Sequence, residues 1–472
     1  MSKVKFHANR AAGFCTAIVT YSLLLVINIT MASGLIPGLS PEIDKQQEVL
    51  IRRETMDITV EGQFVDRNGD PITEPGGPGE IATIIEDECY SYLVGYRTQK
   101  RDLSGLRKQL MSYLFFGGTD GVGSRITLTT DNGLQSYCYG ILGNREGSVI
   151  VMDAKTGELL AFTSRSSAKM GYDADLYTKN YNEYNSYPAF WYNRSTMTED
   201  PPGSTFKIIT SAALLENGMG GYIYDDLDGS YEVDGGAIHN AYGKIYGAGV
   251  DMEKALNKSV NVYFSSAAVD LGAHRLNSIL SKFRFNEYIV TDFGRIKSTF
   301  KMKDMSSKGE LAQAGYGQGS LAMSPLHIAM VMGTVLNDGV MTTPYVIQEI
   351  YDDGVDRIGE IHQAETVSRD TRVFSSETAA TLKQYLHSTA ISDSYGFTEE
   401  KFGMVYAKTG TADLTNGKNH AYMLIGLETE ARDYAILIDV RNADVTSGSL
   451  KNSAVAILEY ILSMQSDTNN AA

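Results

Sequence analysis

Pro201-Pro202-Gly203-Ser204-Thr205-Phe206-Lys207 is the stretch on which the reading of this chain turns. Two prolines and a glycine suit the entry to a helix. From Ser204 to about Glu216 the apolar residues recur at helical spacing. On a helix beginning at Ser204, positions three apart share a face, so Ser204 and Lys207 would meet. A serine hydroxyl is a poor nucleophile until a base takes its proton. A lysine amine can serve as that base when burial and nearby cations favour its neutral form.

Two further motifs follow in order. Ser259-Val260-Asn261 places a hydroxyl and an amide two residues apart, able to relay a proton and bind a substrate amide. Lys408-Thr409-Gly410-Thr411 falls on an expected strand. Lys408 and the hydroxyls of Thr409 and Thr411 would meet a substrate carboxylate, and Gly410 would let a substrate backbone lie close. Backbone N–H groups of Ser204 and Thr411 would form an oxyanion hole.

The individual motifs are not rare. Ser-x-x-Lys occurs four times, at Ser2, Ser166, Ser204 and Ser298. Ser298-Thr299-Phe300-Lys301 repeats the same four letters, but basic residues precede it and no Ser-x-Asn lies between it and Lys408. Lys155-Thr156-Gly157 reads as the turn of a hairpin. Only the set at Ser204, Ser259 and Lys408 has all three motifs in order on a helix and a strand.

Around these motifs the chain alternates in type. Ser148–Met152 and Glu158–Phe162 are two apolar β runs about the Lys155 turn, and 404–408, 421–427 and 434–440 are strand-like. A mostly helical middle runs to about Asn337, and a helix at 453–463 closes the chain. Strands, helices, then strands imply an α+β fold with an antiparallel sheet. Upstream, Gln63–Gly69 is a short extended run ending in a turn, Leu103–Phe116 reads as a helix, 126–130 as a strand and 135–142 as a short helix.

The N-terminus reads as an address. Lys3, Lys5 and Arg10 precede a run from Ala11 to Leu39 without a charged residue. That suffices to span a bilayer, with the basic flank in the cytoplasm. The run exceeds a signal-peptide core, so an uncleaved single-pass anchor is favoured over cleavage near Thr30-Met31-Ala32. The rest of the chain then faces outward. Of 472 residues, 43% are apolar and 21% charged, as expected of a folding chain. With 41 basic and 57 acidic residues, the formal charge of −16 argues against a generic nucleic-acid binder. Seven scattered histidines and no Cys-x-x-Cys argue against a metal or redox site, and no cofactor is expected. Cys89 and Cys138 could pair on export, but two free thiols are the simpler reading.

The ordered motifs resemble those of the monofunctional, class B penicillin-binding proteins of the serine D,D-transpeptidase superfamily. Asp66-Arg67-Asn68-Gly69, Leu128-Thr129-Thr130-Asp131, Gly317-Gln318-Gly319 and Asn337-Asp338-Gly339 extend the resemblance over nearly everything after the anchor. It implies a five-stranded antiparallel sheet flanked by helices, an all-α subdomain and an N-terminal pedestal. The divisions are an anchor at 1–40, a pedestal at 41–145 and a transpeptidase domain at 146–472. It also implies roles. Ser204 would attack the bond between two D-alanines of a peptidoglycan stem peptide, and Lys207 would be the base. Ser259 and Asn261 would complete the proton network, and Lys408, Thr409 and Thr411 would grip the terminal carboxylate. An amine from a neighbouring stem would accept the acyl group, and β-lactams would acylate Ser204. The cytoplasmic membrane and a glycan polymerase of the SEDS type are the implied partners.

Departures are visible. Glu61 stands where the pedestal motif usually opens with Arg, and His420-Ala421-Tyr422-Met423 replaces a frequent aromatic pair. His420 and Trp191 are read as packing residues. A D,D-carboxypeptidase or β-lactamase would share the acyl-enzyme. Glu253-Lys254-Ala255-Leu256-Asn257 matches a β-lactamase motif in letters but precedes Ser259, the wrong order. A division or elongation scaffold with dispensable catalysis is the non-enzymatic alternative.

Overall fold

The computed structural model describes residues 59–85, 87–95, 104–116, 121–165, 193–234, 236–302, 304, 306–352, 355–359, 370–392, 395–413, 419–443 and 445–471. The expected anchor, Trp191 and the Ser166 copy of Ser-x-x-Lys lie outside them. No helix among the described residues is long and apolar enough to cross a membrane.

A five-stranded antiparallel sheet organises the chain. Its strands are β1 (Gly147–Asp153), β2 (Leu159–Arg165), β3 (Val405–Asp413), β4 (Asn419–Glu428) and β5 (Asp433–Ala443), in spatial order β3-β4-β5-β1-β2. The β1–β2 hairpin turns at Lys155, as its sequence implied, and Lys155 pairs with Asp433 at 2.7 Å. Both sheet faces are covered, so the strands read as nearly unbroken apolar runs. Val149, Val151, Ile436 and Ile438 pack on one side with α1 (Asn132–Leu142) and α8 (Lys451–Ala471). Their neighbours Ile150, Met152, Ala435 and Leu437 face the other way, toward α6 (Pro325–Leu336). That is the two-residue period of a pleated strand.

Above this second face lie α2 (Lys207–Glu216), α3 (Met252–Lys258), α4 (Asn261–Leu271), α5 (Lys308–Gly315) and α7 (Ser376–Ala390). The middle is less purely helical than its sequence suggested. Short antiparallel pairs join 224–226 to 247–250, 230–233 to 236–239 and 288–291 to 294–297. The expected helix at 103–116 is two, Gly105–Gln109 and Met111–Phe116, broken at Leu110. Upstream, Phe64–Val65 pairs with Arg125–Leu128, which in turn pairs with Ile347–Asp352. Cys89 and Cys138 are both buried, and no disulfide joins them.

The departure at Glu61 has a local explanation. Its carboxylate accepts from Arg107 Nε at 2.7 Å, and both side chains are fully buried. The other guanidinium nitrogens donate to Gly95 O at 2.8 Å and Ala82 O at 2.5 Å, while Glu61 also accepts from Ala82 N–H at 3.0 Å. One ion pair thus ties four segments of the N-terminal region. Arg107→Met leaves a buried carboxylate unpaired and is expected to cost about 3–5 kcal/mol. Urea denaturation of that region checks this; an unchanged midpoint would contradict it.

Candidate active site

The turn before α2 carries Ser204. Gly203–Phe206 form a single 3-10 turn that leads into α2 at Lys207. The helix therefore begins three residues later than the sequence suggested, but Ser204 and Lys207 still lie one turn apart. Ser204 is half-buried and lines an open cleft, whereas Lys207 is fully buried beneath it.

Lys207 Nζ makes three hydrogen bonds, to Ser259 O at 2.7 Å, Asn261 Oδ1 at 2.8 Å and Ser259 Oγ at 3.0 Å. Ser259 caps the C-terminus of α3 with φ 55° and ψ 46°. A left-handed conformation is uncommon for a residue with a Cβ and is stored strain when it occurs at a site. Here it turns the serine's carbonyl and hydroxyl toward one amine. Asn261 opens α4, and its amide nitrogen donates to His239 O at 3.1 Å, which leaves the amide oxygen for Lys207.

Lys408 comes from the opposite side. It is fully buried on β3, and its Nζ reaches Ser259 Oγ at 3.1 Å and Thr409 O at 3.1 Å. Two amines therefore share one hydroxyl. Burial, and next the charge of Lys408, push Lys207 well below the ordinary lysine range. Burial pushes Lys408 down to about 7. Desolvation and a like charge both disfavour ammonium forms, so Lys207 is driven toward the neutral amine that a serine hydroxyl needs.

Lys408 and Thr411 are placed by β3, which is the sheet's edge strand. Residues two apart on a strand direct their N–H groups to the same side. Thr409 N–H points off the outer edge, to the Tyr395 hydroxyl at 2.9 Å, so Thr411 N–H points the same way. Thr411 and Ser204 both line the cleft, and the Thr411 backbone packs against Gly203, its nitrogen 3.3 Å from where a Cβ would sit. Two N–H groups thus flank the serine from the strand edge and from the first turn of a helix, where such donors have no helical partner.

Gly410 has a packing role that its position in the sequence did not suggest. A Cβ there would meet Pro202 O and Thr205 Cγ2, each at 2.9 Å. The glycine admits the serine turn against β3. Gly317, with φ +90°, completes this packing: it accepts from Gly203 N–H at 2.9 Å, and a Cβ on it would fall 1.9 Å from Gly203 O.

The look-alike motif is core. Ser298 is buried, accepts from Ser324 N–H at 3.3 Å and bonds His327 Nδ1 at 2.7 Å. His420 is also buried, 3.6 Å from Asp200 and 3.4 Å from the Tyr422 hydroxyl, and does not line the cleft. Glu253 of the β-lactamase-like run lies on α3 and does not line the cleft either.

Tyr395 was not legible as a site residue. Its hydroxyl bonds both Thr409 N–H at 2.9 Å and Thr409 Oγ1 at 2.7 Å. It lies on the loop after α7, 14 residues from its partner, and no motif marks it. Tyr395→Phe keeps the ring but frees Thr409. From a net worth of about 1 kcal/mol for a hydrogen bond, the expected loss is about fivefold in the β-lactam acylation rate constant. An unchanged rate would remove Tyr395 from the site.

Residues 147–462, about two-thirds of the chain, match the model of the penicillin binding protein transpeptidase domain. Peptidoglycan D,D-transpeptidase PbpA of Mycolicibacterium smegmatis is 24% identical over 92% of this chain and 94% of that protein. Penicillin-binding protein 3 of Bacillus subtilis is 26% identical over 69% of this chain, and peptidoglycan D,D-transpeptidase MrdA of Escherichia coli K12 is 27% identical over 49%. The chain spans 49% and 39% of the length of these last two. Among solved structures, the ceftriaxone acyl-enzyme of penicillin-binding protein A from M. tuberculosis superposes with a TM-score of 0.75 at 22% identity, over 86% of this chain and 98% of that one. With the fold, the three motifs and the family model in agreement over the same residues, the chain belongs to the penicillin binding protein transpeptidase domain family.

Proposed function

We propose that this chain is a class B peptidoglycan D,D-transpeptidase that works through an acyl-enzyme on Ser204 and is acylated there by β-lactams. The observation that carries the reading is Lys207, buried one turn below Ser204 and driven toward its neutral form beside Lys408. Lys207 Nζ takes the Ser204 proton as Oγ attacks the carbonyl between two D-alanines. The developing oxyanion is held by the N–H groups of Ser204 and Thr411. Ser259 Oγ, within reach of both amines, passes the proton to the departing D-alanine nitrogen. Lys408, Thr409 and Thr411 hold the terminal carboxylate, and Gly410 acts by seating β3 on the serine turn. An amine from a second stem then attacks the ester, closing the cross-link and freeing Ser204.

The apolar run at 11–39 supports an anchor within residues 1–40 and a catalytic part outside the cytoplasmic membrane. Ahead of a transpeptidase domain at 146–472, we assign residues 41–145 to a pedestal. A glycan polymerase of the SEDS type is the membrane partner the family resemblance supports.

The test is product analysis with the full chain in detergent, a D-alanyl-D-alanine donor peptide and an amine acceptor peptide. Cross-linked dimer together with released D-alanine is the expected result. Release of D-alanine without dimer would make the protein a carboxypeptidase. A β-lactam label lost within minutes would make it a β-lactamase.

A further inference from the structure

We propose that the cleft selects acidic donor peptides, those bearing a free carboxylate in addition to the one at the terminal D-alanine, through Lys244, Lys258 and Lys451. This rests on the transpeptidase reading of the same cleft and names its substrate class more narrowly. The chain as a whole carries an excess of acid, with 57 acidic against 41 basic residues. The cleft reverses that balance. Lys244, Lys258 and Lys451 line it beside Ser204, and no aspartate or glutamate does among the described residues.

The three lysines come from three separate elements. Lys244 lies on the loop that enters the Gly247–Val250 strand, Lys258 is the last residue of α3, and Lys451 is the first residue of α8. None forms an ion pair among the described residues, although many other basic groups of the chain do. Lys258 sits where a helix C-terminus favours a cation, so helix physics alone accounts for it. Lys451 is the opposite case. It opens a 21-residue helix, where the macrodipole disfavours a cation. Its Nζ lies 2.6 Å from where a Cβ on Gly396 would sit, next to Tyr395 and hence to the proposed carboxylate grip at Thr409. A positive group placed against local preference and facing a cleft with no acid among its described lining residues is complementary to an anion.

The inner lysines cannot supply this selectivity. Lys207 and Lys408 are fully buried, and both are engaged with Ser259. They serve the reacting bond and the terminal carboxylate. The outer three would meet carboxylates further along the peptide, at the contact distances where exposed charges still act through water.

The experiment measures protection. The full chain in detergent is labelled by a fluorescent penicillin in the presence of two peptides that differ only in one side-chain carboxylate, free or carboxamide. For each, the concentration that halves the labelling rate is read at low and high salt. The acidic peptide is expected to protect about tenfold better at low salt, with the preference shrinking as salt screens it. In Lys244→Gln/Lys258→Gln/Lys451→Gln the ratio is expected to fall to about one. Because a ratio is read, a general change in labelling cancels. Equal protection by the two peptides, absence of protection by either, or a ratio unchanged in the triple variant would overturn acidic selection while labelling at Ser204 keeps the transpeptidase reading. A folded chain that is not labelled at all would contradict that reading, and this one with it.

Discussion

Lys207→Met is expected to slow acylation of Ser204 by a β-lactam by about 10³-fold, the middle of the range for removal of a positioned base. Methionine matches the length of the lysine stem and suits an environment that is already fully buried. It leaves Ser259 O and Asn261 Oδ1 without their partner, so a modest loss of stability accompanies the change. A melting curve separates that from the chemistry: the variant melts cooperatively yet labels slowly. The pH profile of the wild type carries the same claim. Lys207 is pushed below the ordinary lysine range. Its neutral fraction therefore rises with pH and is substantial well below pH 10.5, so acylation climbs on the acid side. Lys408, pushed down to about 7, loses its positive charge as pH rises through that value. The grip on the carboxylate then weakens, and the rate falls on the alkaline side. The expected profile is bell-shaped in the wild type, with its acid limb missing from the residual activity of Lys207→Met. A variant with wild-type rate would remove Lys207 as the base.

The second large effect is expected at a residue that touches no substrate. Gly317→Ala puts a Cβ 1.9 Å from Gly203 O, in a backbone held at φ +90°. Backbone faces it there, so no side-chain rotation relieves the clash. The positive φ alone costs about 1–3 kcal/mol. The Gly203 turn must move, and Ser204 with it. A displacement of about 1 Å at a nucleophile costs about 10²-fold in rate. Acylation is therefore expected to drop at least that far in a protein that still folds. The measurement is the acylation rate constant beside the urea midpoint. Full activity would mean that the Gly203–Gly317 contact does not position the serine.

These two residues mark what the sequence could and could not disclose. The base was legible because a helix fixes the relation of residues three apart, and Ser204 and Lys207 keep that relation across a 3-10 turn. The five strands were legible because both faces of the sheet are buried, which leaves long apolar runs such as Val149–Met152 and Ala435–Ile438. The short hairpins between 224 and 297 were not. They are three or four residues per strand, too short for an alternating pattern to stand out from the surrounding chain. Gly410 was legible as a strand residue, but its contact with the serine turn was not, because alternation along a strand does not say what packs on each side. Tyr395 and the Glu61–Arg107 pair depend on contacts between segments far apart in sequence, for which a single chain carries no local signal. Ser298 shows the converse: letters identical to the reactive motif, buried as a partner of His327.

Which serine becomes acylated decides between Ser204 and its look-alike Ser298. The full chain in detergent is treated with penicillin, digested with trypsin and analysed by mass spectrometry. Cleavage after Arg194 and Lys207 isolates Ser204 in one peptide, and cleavage after Lys297 and Lys301 isolates Ser298 in another. One penicilloyl adduct is expected, on the peptide of residues 195–207, absent from Ser204→Ala. An adduct on 298–301, or an adduct that survives in Ser204→Ala, would contradict it.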